Sequence, residues 1–165
     1  MNGNLSDTLH TLNKNFLVIG YGNDLRSDDA IGPRVAEAVE AWGVPNVSSL
    51  ALHQLTPELA DTLQNFYGVI FVDACRLPEV KEVQVEAIEP GESEAAVVPH
   101  ASDPRSLLAL TKTLYSHYPH AWLVTVPGEI FDIGETLSNV AEQGIADALK
   151  KINSLLRSQT DTDQL

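Results

Sequence analysis

The sequence predicts an α/β fold: a three-layer α/β/α sandwich around a mixed five-stranded sheet with the fourth strand antiparallel. Three features carry this expectation. Short β-rich runs alternate with amphipathic helical stretches, the order that builds a sheet covered on both faces. The run GVIFVD (68–73) is almost wholly apolar, as a central strand buried on both faces must be. Only ACRLPEVK separates it from EVQVEAI (82–88). A parallel crossover needs about a dozen residues or more, so the fourth strand is expected to follow through a hairpin link and run antiparallel to the third.

The elements follow in order. NFLVIGY (15–21) is the first strand, and the next stretch places Ile31, Val35, Val39 and Trp42 at helical spacing. VSSLAL (47–52) is the second strand. Thr56-Pro57-Glu58 has the composition of a helix start, with Thr56 as cap and Leu59, Leu63 and Phe66 as the buried stripe. After the third and fourth strands a helix begins near Ser102-Asp103-Pro104 and runs to about Tyr118, with Leu107, Leu110, Leu114 and Tyr118 facing inward. AWLVTV (121–126) is the fifth strand. Ser138 caps the last helix, whose stripe is Ile145, Leu149, Ile152 and Leu156. One domain over 15–157 is expected, with a flexible segment over 1–14 and a disordered tail over 158–165.

The 165 residues suit a single domain with a real core. No apolar run is as long as a membrane span, and the polar start MNGNLSDTLHTLNKN has no signal-peptide core. The single cysteine, Cys75, allows no internal disulfide. A cytoplasmic monomer is the simplest expectation. The formal net charge of −13 disfavours nucleic acid and anionic membranes. It suits metal ions and basic partners, or serves solubility alone.

The stretch GYGNDLRSDDAIG (20–32) joins a strand to a helix through glycines, as phosphate-binding turns do, yet it carries three aspartates. A dinucleotide fingerprint would need a glycine where Leu25 stands, and Asp24, Asp28 and Asp29 would repel a pyrophosphate. Ligands in open α/β sheets bind at the carboxyl ends of the parallel strands. Asp28 and Asp29 follow the first strand there, His53 follows the second, and Asp73 ends the third. The fourth strand descends and the third helix must also descend. Residues 89–102 therefore climb back across the sheet and deliver His100 to the same edge, a distance that about 3.3 Å per residue covers. One imidazole and two carboxylates can bind a borderline transition metal or act as acid and base around a water.

Structural alternatives stand beside each residue. Asp28 can cap the helix at Ala30, Asp73 can hydrogen-bond backbone amides, and His100 can be a surface histidine. His117 and His120 need only favour a helix dipole. A carboxylate near Cys75 raises its thiol pKa, opposite to what a nucleophile needs. His53 receives no assignment.

The stretch GYGNDLRSDDAIG resembles the N-terminal motif of the nickel–iron hydrogenase maturation endopeptidases, a Gly-x-Gly-Asn turn followed by an acid pair and a glycine. Val72-Asp73-Ala74 and Pro99-His100 occur in the family's order, and the similarity covers about residues 15 to 155. The resemblance implies a mixed-sheet α/β/α sandwich. It also implies a hydrolase that removes the C-terminal extension of a hydrogenase large-subunit precursor once nickel has entered. By position, Asp29, Asp73 and His100 match the family's metal-contacting acid, second acid and histidine. Nickel would then be brought by the substrate rather than held permanently, and the glycines would let an incoming peptide approach the turn. Relatives often have Glu where this chain has the shorter Asp29. Many carry a glycine-rich segment where it has His53-Gln54-Leu55-Thr56. The alternative is a non-catalytic, metal-dependent assembly chaperone for the same subunit.

Overall fold

Alternate side chains of β1 (Phe16–Tyr21) go to opposite sides of the sheet, and both sides are dry. Phe16 and Val18 join one core cluster, Leu17 and Ile19 the other. That requires helices on both faces, and the rest of the chain supplies them. The computed structural model describes residues 14–92 and 103–161. After β1 a 3₁₀ turn (Ser27–Ala30) leads into α1 (Ile31–Ala41). β2 (Val47–Leu52), the short α2 (Leu59–Leu63), β3 (Gly68–Arg76), β4 (Gln84–Ile88), α3 (Pro104–Tyr115), β5 (His120–Gly128) and α4 (Asn139–Asp161) follow. One cluster packs Ile31, Val35 and Val39 of α1 with Ala148, Ile152 and Leu156 of α4 against Val18, Ile70, Val72 and Val124. The other packs Leu59 and Leu63 of α2 with Leu107 and Leu108 of α3 against Ile19, Val69 and Phe71. The expected three layers are present.

The sheet order is β2-β1-β3-β5-β4. β3 is central as its sequence requires, with five buried residues from Gly68 to Val72. It pairs in parallel with both β1 and β5. β4 is antiparallel as expected, but its partner is β5, not β3. The expected hairpin is therefore corrected: residues 77–83 cross the end of β5, where Leu77 N–H donates to the Gly128 carbonyl at 3.0 Å. The crossing spans two strand spacings, roughly 10 Å, well within the reach of those residues. The reason lies in composition. Four of the five residues of β4 are exposed, and only Ile88 is buried. Such a strand suits an edge, whereas β5, with Ala121, Val124 and Val126 buried, suits the interior.

Other boundaries also move. Asp103 caps α3 through its side chain, which accepts from Arg105 N–H, and Pro104 opens it. The buried face is Pro104, Leu107, Leu108 and Thr111; Leu114 is 58% exposed and Tyr118 37%, against expectation. Thr111 enters the core because its hydroxyl donates to the Leu107 carbonyl at 2.8 Å. Ser116, in the left-handed conformation at φ 62°, ends the helix before Tyr118. Thr56 offers its backbone carbonyl to Leu59 N–H, and α2 has no side-chain cap. Ser138 does cap α4, its Oγ accepting from Ala141 N–H at 3.1 Å. That helix reaches Asp161, so residues 158–161 belong to it and not to a tail. At the other end Lys14 Nζ donates to the Gln159 carbonyl at 3.2 Å, tying residue 14 to the domain.

Candidate active site

The glycines of the 20–32 turn face inward, toward their own fold. A Cβ on Gly20 would collide with the Gly32 carbonyl, and one on Gly32 with the Tyr21 and Val72 backbone. α1 can therefore lie directly against the end of β1 only because both positions lack a side chain. Gly22, at φ 152°, brings the backbone of Asp29 against its own Cα. The expectation that these glycines clear a path for a peptide is thus corrected: they close the turn on itself. Closure fixes Asp29. Its Oδ2 accepts from Asn23 N–H at 2.7 Å, while Asn23 Oδ1 accepts from Leu25 N–H at 2.9 Å.

The two adjacent aspartates do different work. Asp28 is fully buried. Its Oδ2 accepts from Glu129 N–H at 2.7 Å, Ile130 N–H at 2.9 Å and the Ser138 hydroxyl at 2.6 Å, and its Oδ1 from Ser138 N–H at 2.8 Å. Burial alone would raise its pKa; these hydrogen bonds outweigh it and the pKa falls below the ordinary value. Asp28 is thus neither a helix cap nor a site acid. It anchors the loop between β5 and α4 to the acid turn, helped by Ser27 N–H to the Gly134 carbonyl and Ser27 Oγ to the Asp132 carbonyl.

Asp73, in β3, lies close enough to Asp29 for that residue's charge to act on it. Burial is the main cause that pushes its pKa up to about 6. A hydrogen bond from Tyr21 opposes that shift, the charge of Asp29 adds to it, and a hydrogen bond from Ala74 N–H opposes it again. Tyr21 is the residue the sequence reading missed. Its own pKa is raised, first by burial and then by the charge of Asp73. The register shows why: β1 pairs with β3 in parallel with Gly20 opposite Val72, so the next residues, Tyr21 and Asp73, fall side by side.

His100 lies outside the described residues. Asp103, three positions on, is close enough for its charge to raise the Tyr21 pKa, so α3 does begin at the acid edge. Gly91 N–H donates to the Arg105 carbonyl at 3.1 Å, so residue 91 lies beside the first turn of α3. Among the described residues no third His, Cys, Asp or Glu joins Asp29 and Asp73 to form a three-ligand metal site. His53 is exposed after β2. His117 and His120 serve the opposite end: His117 lies between the Tyr115 and Gln64 carbonyls, and His120 rests against Tyr67 with centroids 4.8 Å apart. Burial, then a hydrogen bond to Glu79 and that residue's charge, raise the Cys75 thiol, which argues against a thiolate nucleophile.

Two carboxylates at one sheet edge, near enough for the charge of Asp29 to raise the Asp73 pKa, could share a cation or pass a proton to and from a water. A cavity of about 730 Å³ elsewhere, between the 81–83 link and α4, includes neither acid. An open edge suits a polypeptide better than a small molecule. No described helix is long and apolar enough to cross a membrane.

No family model matches the sequence, and no curated protein matches it. Solved structures do match. The hydrogenase maturating endopeptidase HybD from E. coli superposes with a TM-score of 0.70 at 24% identity, covering 87% of this chain and 93% of that one. The [NiFe] hydrogenase maturation protease HybD from Thermococcus kodakarensis gives 0.68 at 19% identity, covering 86% and 98%. HycI, a [NiFe] hydrogenase maturation protease from Thermococcus kodakarensis KOD1, gives 0.65 at 21% identity, covering 87% and 93%. Each likeness spans nearly the whole of both chains, and the fold is that of these proteases.

Proposed function

We propose that this chain is an endopeptidase that removes the C-terminal extension of a nickel–iron hydrogenase large-subunit precursor after nickel insertion. The observation that carries the reading is the placement of Asp29 and Asp73 at the carboxyl edge of the sheet, near enough for the charge of Asp29 to act on Asp73, whose carboxyl burial pushes up to about 6. On a fold shared with maturation proteases, such an acid pair can activate a water for peptide hydrolysis without a nucleophilic cysteine.

Nickel belongs to the substrate on this reading. Asp29, Asp73 and His100 are the residues that would contact it, and its role is to mark a precursor as ready for cutting. Two carboxylates and an imidazole suit a borderline metal, and the open rim leaves room for the substrate's own ligands. Asn23 N–H fixes Asp29 by occupying one carboxylate oxygen. The Tyr21 hydroxyl orients Asp73 by donating to it. Asp73 can then take a proton from an attacking water near neutral pH. The protein acts as a cytoplasmic monomer in this scheme.

The test is to incubate the purified protein with a nickel-loaded precursor and follow the precursor's mass. Loss of the C-terminal extension is expected. A precursor that is bound but keeps its full mass would reject proteolysis in favour of an assembly chaperone.

A further inference from the structure

The turn that carries Asp29 also carries apolar surface that the acids do not use. A parallel bridge joins Arg26 to Gly134. Gly134 N–H donates to the Leu25 carbonyl at 2.8 Å and Ser27 N–H to the Gly134 carbonyl at 2.8 Å. In that register residue 25 stands opposite residue 133, and opposed positions on neighbouring strands share a face. The two side chains are Leu25, 56% exposed, and Ile133, 87% exposed; Ile130, 43% exposed, stands on the same loop. Single exposed apolar residues are ordinary. An opposed pair is different when its loop is tied down by the buried carboxylate of Asp28 at Glu129, Ile130 and Ser138, because the loop cannot fold over to cover it.

The flanking charge says what covers it. Asp24, Glu129, Asp132 and Glu135 are exposed around the three apolar residues. The cations nearby are Arg26, exposed on the turn itself, and Arg76 at the end of β3, held over the Phe131 ring at 4.6 Å, so the exposed carboxylates outnumber them. Leu25 also lies on the same closed turn as Asp29, linked to it through Asn23, so the apolar pair stands beside the acid turn. We propose that Leu25, Ile130 and Ile133 form the docking surface for the protein substrate, receiving an apolar segment flanked by basic residues beside the bond to be cut. This rests on the proteolytic reading above and adds which residues select the substrate.

The probe is a nickel-loaded hydrogenase large-subunit precursor, with the full chain as enzyme. Leu25→Ser and Ile133→Ser should each weaken precursor binding about tenfold and raise KM to match, leaving kcat within about twofold. Leu114→Ser, which removes an equally exposed leucine from α3, should match the wild type. Unchanged affinity and KM in both variants, with cutting intact, would reject the docking surface and keep proteolysis. Binding that falls in both variants while the wild type leaves the precursor uncut would keep the surface and reject proteolysis. A wild type that does not bind the precursor overturns the proposal. So does a dimer that Ile133→Ser dissolves without affecting precursor binding, since the occupant is then a second copy.

Discussion

Replacing Asp73 by Asn should make the protein more stable and inactive at once. The carboxyl is pushed up to about 6 in the folded protein, from 3.8 for an ordinary aspartate. That gap is about 2 units at 1.36 kcal/mol each, so the ionised group costs about 2–3 kcal/mol of folding free energy. The sign follows from the direction of the shift. Below about pH 4 the carboxyl is neutral in both folded and unfolded chains and costs nothing. Between about 4 and 6 the unfolded chain ionises first, and stability is lost as the pH rises. Above about 6 the full cost is present. Asparagine mimics the neutral acid, keeping its volume and an acceptor for the Tyr21 hydroxyl. Urea unfolding followed by circular dichroism from pH 5 to 8 measures the difference. At pH 8 the variant should gain about 2–3 kcal/mol, or roughly 4–10 °C in Tm for a domain of this size. At pH 5 the gain should shrink to about half. A gain that does not vary with pH, or a variant less stable than wild type at pH 8, would refute the argument that burial strains this carboxylate.

Asp28→Ala leaves three backbone N–H groups and the Ser138 hydroxyl without their acceptor, so it should cost about 3–5 kcal/mol, read as a fall in Tm. Because the Asp28 pKa is lowered, its contribution should fade only in acid, below about pH 4. Asp29→Ala and His100→Ala should each abolish precursor cutting, and Asp29→Ala should leave Tm within a few degrees, while Cys75→Ser should cut at the wild-type rate. Elemental analysis should find little stoichiometric metal in the purified protein, which should nevertheless cut nickel-loaded precursor and ignore the nickel-free form. Tightly held metal with equal cutting of both forms would reject nickel as a recognition mark.

Strand identity and the direction of β4 were legible in the sequence because they depend on local quantities: apolar runs and the length of one link. The neighbour of β4 was not, since it depends on which strand tolerates an exposed face. The polar residues of QVEAI hinted at this, but nothing local compares β4 with β5. The α3 stripe went astray at Thr111, which reads as polar until its hydroxyl is seen to pair with the preceding turn. Asp73 was legible as the acid at the end of a central strand. Tyr21 was hidden because its role exists only across a strand pair. Asp28 and Asp29 are chemically identical neighbours, and only the return of a loop more than a hundred residues later separates their roles.

That separation explains why an acid pair stands in a glycine turn. A catalytic carboxylate must be both partly desolvated, to titrate near neutrality, and rigidly placed. Those demands conflict in one residue, because the hydrogen bonds that fix a carboxylate also lower its pKa. The fold divides the work. Asp28 takes the fixing bonds, is driven to lower pKa, and supplies the stability that holds the turn and the 129–138 loop together. Asp29 inherits a position from that anchor and keeps one oxygen clear of the Asn23 bond. Asp73 carries the strain of burial. Weakening the anchor should therefore harm cutting through position alone. Asp28→Asn at a temperature where it stays folded should lower kcat, while the apparent pKa of the rate profile stays at its wild-type value. A profile that shifts instead would make Asp28 part of the titrating site.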